Sequence, residues 1–95
     1  MNLEFHPAAI EEAQAAHAWY AKRSPSAADA FAKELDRAVE HILDCPAQWA
    51  SYLHGTRRFL MHRFPYMIVY RHKEDTVTVL AVAHSARQPG YWRKR

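Results

Sequence analysis

The chain is poor in several residue types, and each scarcity excludes a class of protein. It has one cysteine, Cys45, among 95 residues, so no disulfide can form within it. It has only two glycines and no serine-rich or proline-rich tract, which leaves no linker or repeat to divide it. No apolar run approaches the length of a signal peptide or a membrane span. We therefore expect a single domain over residues 1–95, most simply cytoplasmic and without a membrane as partner.

Acidic residues are scarce in the second half of the chain. Residues 1–44 hold eight Asp and Glu against four Lys and Arg, whereas residues 45–95 hold two against nine. The two halves therefore carry charges of −4 and +7, in agreement with the net charge of +3. Such segregation in one small domain predicts a surface that attracts a polyanion or an acidic protein segment.

Motifs for the common kinds of catalysis are also missing. The seven histidines include no HExxH motif and no closely spaced Cys/His pairs, so we expect no metal. No GxGxxG, P-loop or GxSxG segment predicts nucleotide binding or acyl transfer, and we expect no cofactor. Cys45 precedes Pro46 at a predicted helix C-terminus, where nothing activates a thiol. Nucleophilic catalysis by this cysteine is therefore disfavoured.

The pattern of the first half predicts one strand followed by two helices. Residues 2–6 alternate polar and apolar and are stopped by Pro7, which predicts a short strand that leads into an alanine-rich helix. Ser24 and Pro25 suit the N-cap and first position of a second helix, so we expect the two helices to form a hairpin. Apolar residues of the second helix recur at spacings of four, four and three, at Phe31, Leu35, Val39 and Ile42.

The second half has the shorter periods of strands. Residues 57–64, 66–72 and 76–84 are the three candidates, with residues 73–75 as the turn between the last two. The second candidate is nearly all apolar and is predicted to be central in the sheet. Helices first and an antiparallel sheet afterwards give the fold class α+β, in the order β-α-α-β-β-β with a three-stranded antiparallel meander.

This order of elements resembles the RelE/ParE superfamily, the toxins of type II toxin–antitoxin systems that are also called plasmid stabilisation proteins. The segments RFPYMIVYR and VTVLAVAHSARQPGYWRKR carry the resemblance, and Trp19 and Tyr20 match the family's WY-containing first helix. The resemblance covers almost the whole chain. It implies a toxin that a cognate antitoxin neutralises, and either a homodimer or a toxin–antitoxin hetero-oligomer.

The superfamily has two activities, and this chain departs from the pattern of one of them. RelE-like members cleave messenger RNA on the ribosome without a metal, and ParE-like members inhibit DNA gyrase. Met67 and Pro89 stand where the RelE pattern has arginines. We therefore expect a ParE-like toxin that inhibits gyrase by binding rather than as an enzyme. The alternatives are a RelE-like, ribosome-dependent mRNA endoribonuclease and a degenerate family member that is no longer toxic.

Candidate site residues follow from these activities. A ribonuclease would use His84 and Tyr91 as catalytic acid and base, although a half-buried structural role is the commoner one for a histidine in the position of His84. An antitoxin is expected to bind Arg63, Arg71 and Trp92, although Tyr91 and Trp92 could instead dock the tail on the sheet. The residues expected to bind phosphate or the target are Arg57, Arg58, Arg63, Arg71, Arg87 and Arg93.

The cations of the second half are expected to gather on one recognition face. Arg57 and Arg58 are neighbours on a predicted strand and so point to opposite faces, which means that only one of them can join a given site. The alternative role of such arginines is to form a solvated sheet face or to protect an edge strand. An antitoxin tail would place its apolar residues on the helix hairpin and its acidic residues on the arginines.

Overall fold

The protein folds as two helices packed on one face of a five-stranded mixed sheet. The computed structural model describes residues 1–95. The strands lie in the order β1-β5-β4-β3-β2, with β1 parallel to β5 and every other pair antiparallel. The elements are β1 (Asn2–Phe5), α1 (Pro7–Arg23), α2 (Pro25–Asp44), β2 (Ala50–Ser51), a 3-10 turn (Leu53–Gly55), β3 (Arg57–Leu60), β4 (Tyr66–Lys73) and β5 (Thr76–His84).

The α+β class and the β3-β4-β5 meander are confirmed, and β4 is central as predicted. Two additions enlarge the sheet. The first strand adds to β5 in parallel, and the two-residue β2 adds to the outer edge of β3. Neither helix combines the length and the apolar composition that crossing a bilayer requires.

Local capping explains where the helices begin and end. The Nδ1 atom of His6 accepts a hydrogen bond from the Ala8 amide at 3.0 Å and so caps α1. Ser24 ends α1 by donating its backbone N–H to the Tyr20 carbonyl, and its side chain accepts the Ala27 amide at 3.3 Å to begin α2. One serine therefore serves both helices, which makes the hairpin as tight as predicted.

The larger core lies between the helices and the sheet. Phe31 of α2, 1% exposed, is at its centre. Its ring contacts the rings of Tyr20, Phe64 and Tyr66 at centroid distances of 5.5, 5.3 and 5.4 Å. Because the buried residues of α1 are alanines, that helix can approach β5 closely.

A smaller core covers the opposite face of the sheet. The tail after β5 folds back, and Trp92, 1% exposed, packs in one cluster with Val69 and Leu80. The indole ring of Trp92 also stacks on the ring of Tyr52 at a centroid distance of 5.4 Å. Both faces of β4 and β5 are thus covered, which explains their nearly continuous apolar sequence.

The predicted strand over residues 57–64 was wrong in its second half, since β3 ends at Leu60. Beyond it, the amides of His62 and Arg63 donate hydrogen bonds to the carboxylate of Glu34 on α2, at 2.7 and 3.2 Å. The Glu34 carboxylate therefore accepts the hydrogen bonds that a neighbouring strand would accept if β3 continued. The alternating sequence could not reveal this acceptor, because it lies 28 residues away in the chain.

Candidate functional site

Glu12 of α1 is the centre of a polar cluster that ties the C-terminal tail to the first helix. Its carboxylate accepts hydrogen bonds from the Tyr91 hydroxyl at 2.6 Å and from Arg87 at 3.3 Å. The Arg95 guanidinium donates two more, at 2.9 and 3.1 Å. The backbone amide of Val82 donates a fifth at 3.0 Å. We call Glu12, Arg87, Tyr91 and Arg95 the Glu12 cluster.

The position of Glu12 in the helix explains why its carboxylate is mostly buried. Glu12 follows Ala9 by three residues and precedes Ala16 by four, so it shares the face of α1 on which those alanines are buried. The pairing of β1 with β5 stops at Val79, which leaves the next part of the β5 edge without a strand. Glu12 supplies an acceptor for the Val82 amide at this edge.

The Glu12 cluster raises the pKa of two of its members, Tyr91 and Arg95. Burial, reinforced by the hydrogen bond to Glu12, raises the pKa of Tyr91 above its ordinary value. The hydrogen bonds to Glu12 likewise raise the pKa of Arg95. Tyr91 is therefore a proton donor held on a carboxylate, and its hydroxyl is not free to remove a proton from another molecule.

His84 lies beside the Glu12 cluster, in a cleft of about 440 Å³ between α1 and the end of β5. Its ring meets the ring of Tyr66 edge-on, with centroids 5.1 Å apart, and its Nδ1 atom accepts a hydrogen bond from the Ala86 amide at 3.0 Å. In a neutral ring this bond places the proton on Nε2. Arg87 lines the same cleft. No three His, Cys, Asp or Glu side chains come together as they would around a metal ion.

A groove of about 950 Å³ runs between α2 and β3. Leu60, 60% exposed, is its most accessible large apolar residue. Glu34 is the only carboxylate in the lining, and it pairs with Arg63 at 3.3 Å. We call this surface the α2 groove. It is lined by Trp49, Phe59 and Leu60 among the apolar residues and by Arg37 and Arg63 among the cations. Arg58 also borders it, although its guanidinium lies over the Tyr52 ring, on the other face of the sheet.

Most of the other cations of the second half lie on the sheet face that the tail covers. Alternation along β3 and β4 places Arg58 and Arg71 on the same face as Val69, which packs against Trp92. Lys73 follows on that face, and Arg93 and Lys94 are exposed residues of the tail itself. None of these cations makes a salt bridge. We call Arg58, Arg71, Lys73, Arg93 and Lys94 the tail-side face.

The predicted site residues therefore divide into separate groups, and the expectation of one shared face was wrong. Helix glutamates draw Arg63 and Arg87 to the helix side, whereas Arg58, Arg71 and Arg93 stay on the tail-side face. Arg57 points away from Arg58, as expected, and donates a hydrogen bond to the Trp49 carbonyl at 2.7 Å.

Two predicted residues have structural roles here. Trp92 belongs to the smaller core and, at 1% exposed, its side chain is not accessible to an antitoxin. The alternative, in which the aromatic residues dock the tail on the sheet, is confirmed for Trp92. Tyr91 packs against the same cluster and also ties the tail to α1, through its hydrogen bond to Glu12.

Sequence reasoning missed Glu12, Glu34 and Arg95. A usable signal exists for both glutamates, because each lies three residues after one buried residue and four before another. Ala9 and Ala16 flank Glu12 in this way, and Phe31 and Ala38 flank Glu34. An acid on the apolar face of a helix needs a partner. The terminal Arg95 carries no comparable local signal.

Comparison with known proteins gives matches by sequence and by fold. A family model described as the ParE toxin of the type II toxin–antitoxin system, parDE, matches residues 3–89. No curated protein has a significant sequence match to the chain. The fold is similar to that of a solved chain from the chromosomal ParDE toxin–antitoxin system of P. aeruginosa, with a TM-score of 0.77 and 20% sequence identity. The alignment covers 88% of this chain and 95% of that one.

Proposed function

Because the chain belongs to the ParE toxin family of type II toxin–antitoxin systems, we propose that it inhibits DNA gyrase by binding and that a cognate antitoxin neutralises it. The family assignment makes it a ParE-type toxin. The target and the way in which the antitoxin silences it are the parts that we propose.

The state of the Glu12 cluster supports binding over catalysis. Cleavage of RNA without a metal needs a free base, a free acid and cations that face the phosphate. Here Arg87 and Tyr91, two of the residues that such a reaction would use, both donate hydrogen bonds to the Glu12 carboxylate. Side chains that are already hydrogen-bonded within the protein suit a toxin that acts by binding its target rather than by catalysis.

The ribonuclease alternative depends on His84, whose Nε2 atom is not used by the hydrogen bond to Ala86. In that case His84→Ala should abolish mRNA cleavage on ribosomes, and Tyr91→Phe should reduce it. Under our proposal His84→Ala leaves growth arrest unchanged. Circular dichroism of each purified variant separates a loss of activity from a loss of fold.

Expression of the chain alone is the first test of toxicity. We expect growth arrest, and we expect the purified protein to reduce DNA supercoiling by purified gyrase. Messages on ribosomes should stay intact in the same cells. Growth arrest with cut messages and fully active gyrase would refute the gyrase proposal and favour the ribonuclease.

We place the antitoxin on the α2 groove, because its lining combines exposed apolar surface with an excess of cations. A disordered tail that folds on binding could bury apolar residues on Leu60 and Phe59 and place acidic residues near Arg37 and Arg63. Arg71, which was also expected to bind the antitoxin, lies on the opposite sheet face and outside the groove.

A single substitution in the groove tests this placement. Leu60→Glu should leave the toxin active but weaken its neutralisation by the product of the neighbouring gene, since it adds a negative charge where acidic residues would bind. Leu53→Glu is the matched control, because Leu53 is also exposed, at 40%, and does not line the groove. Equal neutralisation of both variants would refute the placement. Pull-down in rising salt should show an affinity that falls as the salt concentration increases.

A further inference from the structure

The two faces of the sheet differ in how their cations are neutralised. On the helix side, glutamates pair with Arg63, Arg87 and Arg95 at 3.3 Å or less. On the tail-side face no cation has an acidic partner. The nearest acidic residues are Glu4, which lies opposite Thr78, the strand partner of Arg71, and Glu74 and Asp75 in the turn after Lys73. Asp75 faces the N-terminal ammonium group. The cations of the second half that lack an acidic partner therefore lie mostly on the tail-side face, where their charges add up to a positive potential.

The aromatic residues of this face are not available for base stacking. The rings of Tyr52 and Trp92 stack on each other, and the Arg58 guanidinium lies over the Tyr52 ring, 4.5 Å from its centroid. Proteins that bind single strands rely on exposed aromatic platforms as well as on cations. A face with cations and no free ring suits contacts to a phosphate backbone rather than to unpaired bases.

The tail adds a concave polar site to the same side of the molecule. A hollow of about 360 Å³ is lined by His54, Arg93 and Lys94 together with residues 88–91 of the tail. The hollow contains no carboxylate. Two permanent cations and an imidazole around one small hollow provide hydrogen-bond donors of the kind that a phosphate group accepts.

We propose that the tail-side face binds the phosphate backbone of duplex DNA without reading its sequence. An acidic protein is a poorer fit, because Val69, Leu80 and Trp92, which form the apolar cluster of this face, are buried. The inference goes beyond gyrase inhibition, since it gives the toxin a DNA contact of its own. It rests on the charge distribution and does not require gyrase to be the target.

The experiment measures binding of the full chain to a fluorescein-labelled 20-base-pair duplex of random sequence by anisotropy, from about 50 to 200 mM salt. The plot of log K against log salt concentration should have a slope of roughly −3 to −4, for about four phosphate contacts. Arg71→Gln combined with Lys94→Gln should make the slope shallower by about 2 and weaken binding by roughly 10-fold or more at low salt.

The matched control is Lys22→Gln combined with Lys33→Gln. These lysines are exposed on the helices, make no salt bridge, and their removal changes the net charge by the same amount. The control should bind DNA as the unaltered protein does. Equal losses in both double variants would show that only net charge matters and would overturn the proposal.

Two further results would overturn it. One is the absence of salt-dependent binding at 50 mM salt, and the other is tighter binding of a single-stranded RNA of equal length than of the duplex. Supercoiling assays on the same preparations keep the two proposals apart. A protein that inhibits gyrase but does not bind DNA refutes this inference alone, and one that binds DNA but leaves gyrase active refutes the proposed function alone.

Discussion

Arg95, the last residue of the chain, donates two hydrogen bonds to the carboxylate of Glu12 across 83 positions of sequence. A third, to the Leu80 carbonyl at 2.9 Å, fixes the same guanidinium on β5. The two side chains are only 18% and 14% exposed, so this pair is shielded from solvent far more than an ordinary surface ion pair. The contact closes the tail over the sheet and links it to α1.

Glu12→Gln should lower the free energy of unfolding by about 2–4 kcal/mol, because it leaves a partly buried guanidinium without a counter-charge. A double-mutant cycle with Arg95→Gln, measured by urea denaturation, should give a coupling energy of about 1–3 kcal/mol. Glu11→Gln is the control, since Glu11 is exposed and makes no salt bridge. Additive effects in the cycle would contradict the view that the pair closes the tail.

Tyr91 should make the protein less stable at alkaline pH. Its pKa is raised in the folded state, so above pH 10, the ordinary tyrosine value, the unfolded chain loses a proton that the folded chain keeps. The free energy of unfolding must then fall as the pH rises. Tyr91→Phe should show a shallower fall between pH 9.5 and about 11 in urea titrations. A fall of the same steepness in both proteins would argue against the raised pKa.

Gly90 should tolerate alanine less well than Gly55, although both have a positive φ, of 89° and 74°. A Cβ atom on Gly90 would lie 3.2 Å from the Nε2 atom of His54, whereas one on Gly55 would meet nothing within 4 Å. Both alanine variants carry backbone strain of about 1 kcal/mol, and Gly90→Ala adds the steric contact. Thermal unfolding should rank Gly90→Ala below Gly55→Ala, and the reverse order would be inconsistent with this packing of the tail.

Tyr70→Phe should cost about 1–3 kcal/mol, because the fully buried Tyr70 hydroxyl donates a hydrogen bond of 2.5 Å to the carbonyl of Pro46. Pro46 is itself buried, so its carbonyl would lose its partner without gaining water. Tyr20→Phe is the comparison, since the Tyr20 hydroxyl makes no hydrogen bond within the protein and its loss should cost less. Equal unfolding midpoints in urea for the two variants would count against the hydrogen bond.

Much of the fold followed from local sequence signals. Ser24 was identified as the N-cap and Pro25 as the first residue of α2, and the structure has both there because capping depends on neighbouring backbone groups alone. The three strands of the meander followed from their period of two, and only the end of β3 was misjudged. The parallel addition of β1 to β5 was not predicted, since strand order depends on contacts between distant segments.

The site was less predictable than the fold. The sequence by itself determined that the second half carries the positive charge, because charge is a sum over residues and needs no geometry. Only the tertiary structure decided which cations form salt bridges with glutamates and which do not. Glu12 and Glu34 lie on buried helix faces and meet Arg95, Arg87 and Arg63 there, because a carboxylate taken out of water requires a cation or N–H donors. That pairing, set by how the helices pack on the sheet, leaves most of the unpaired cations of the second half on the tail-side face.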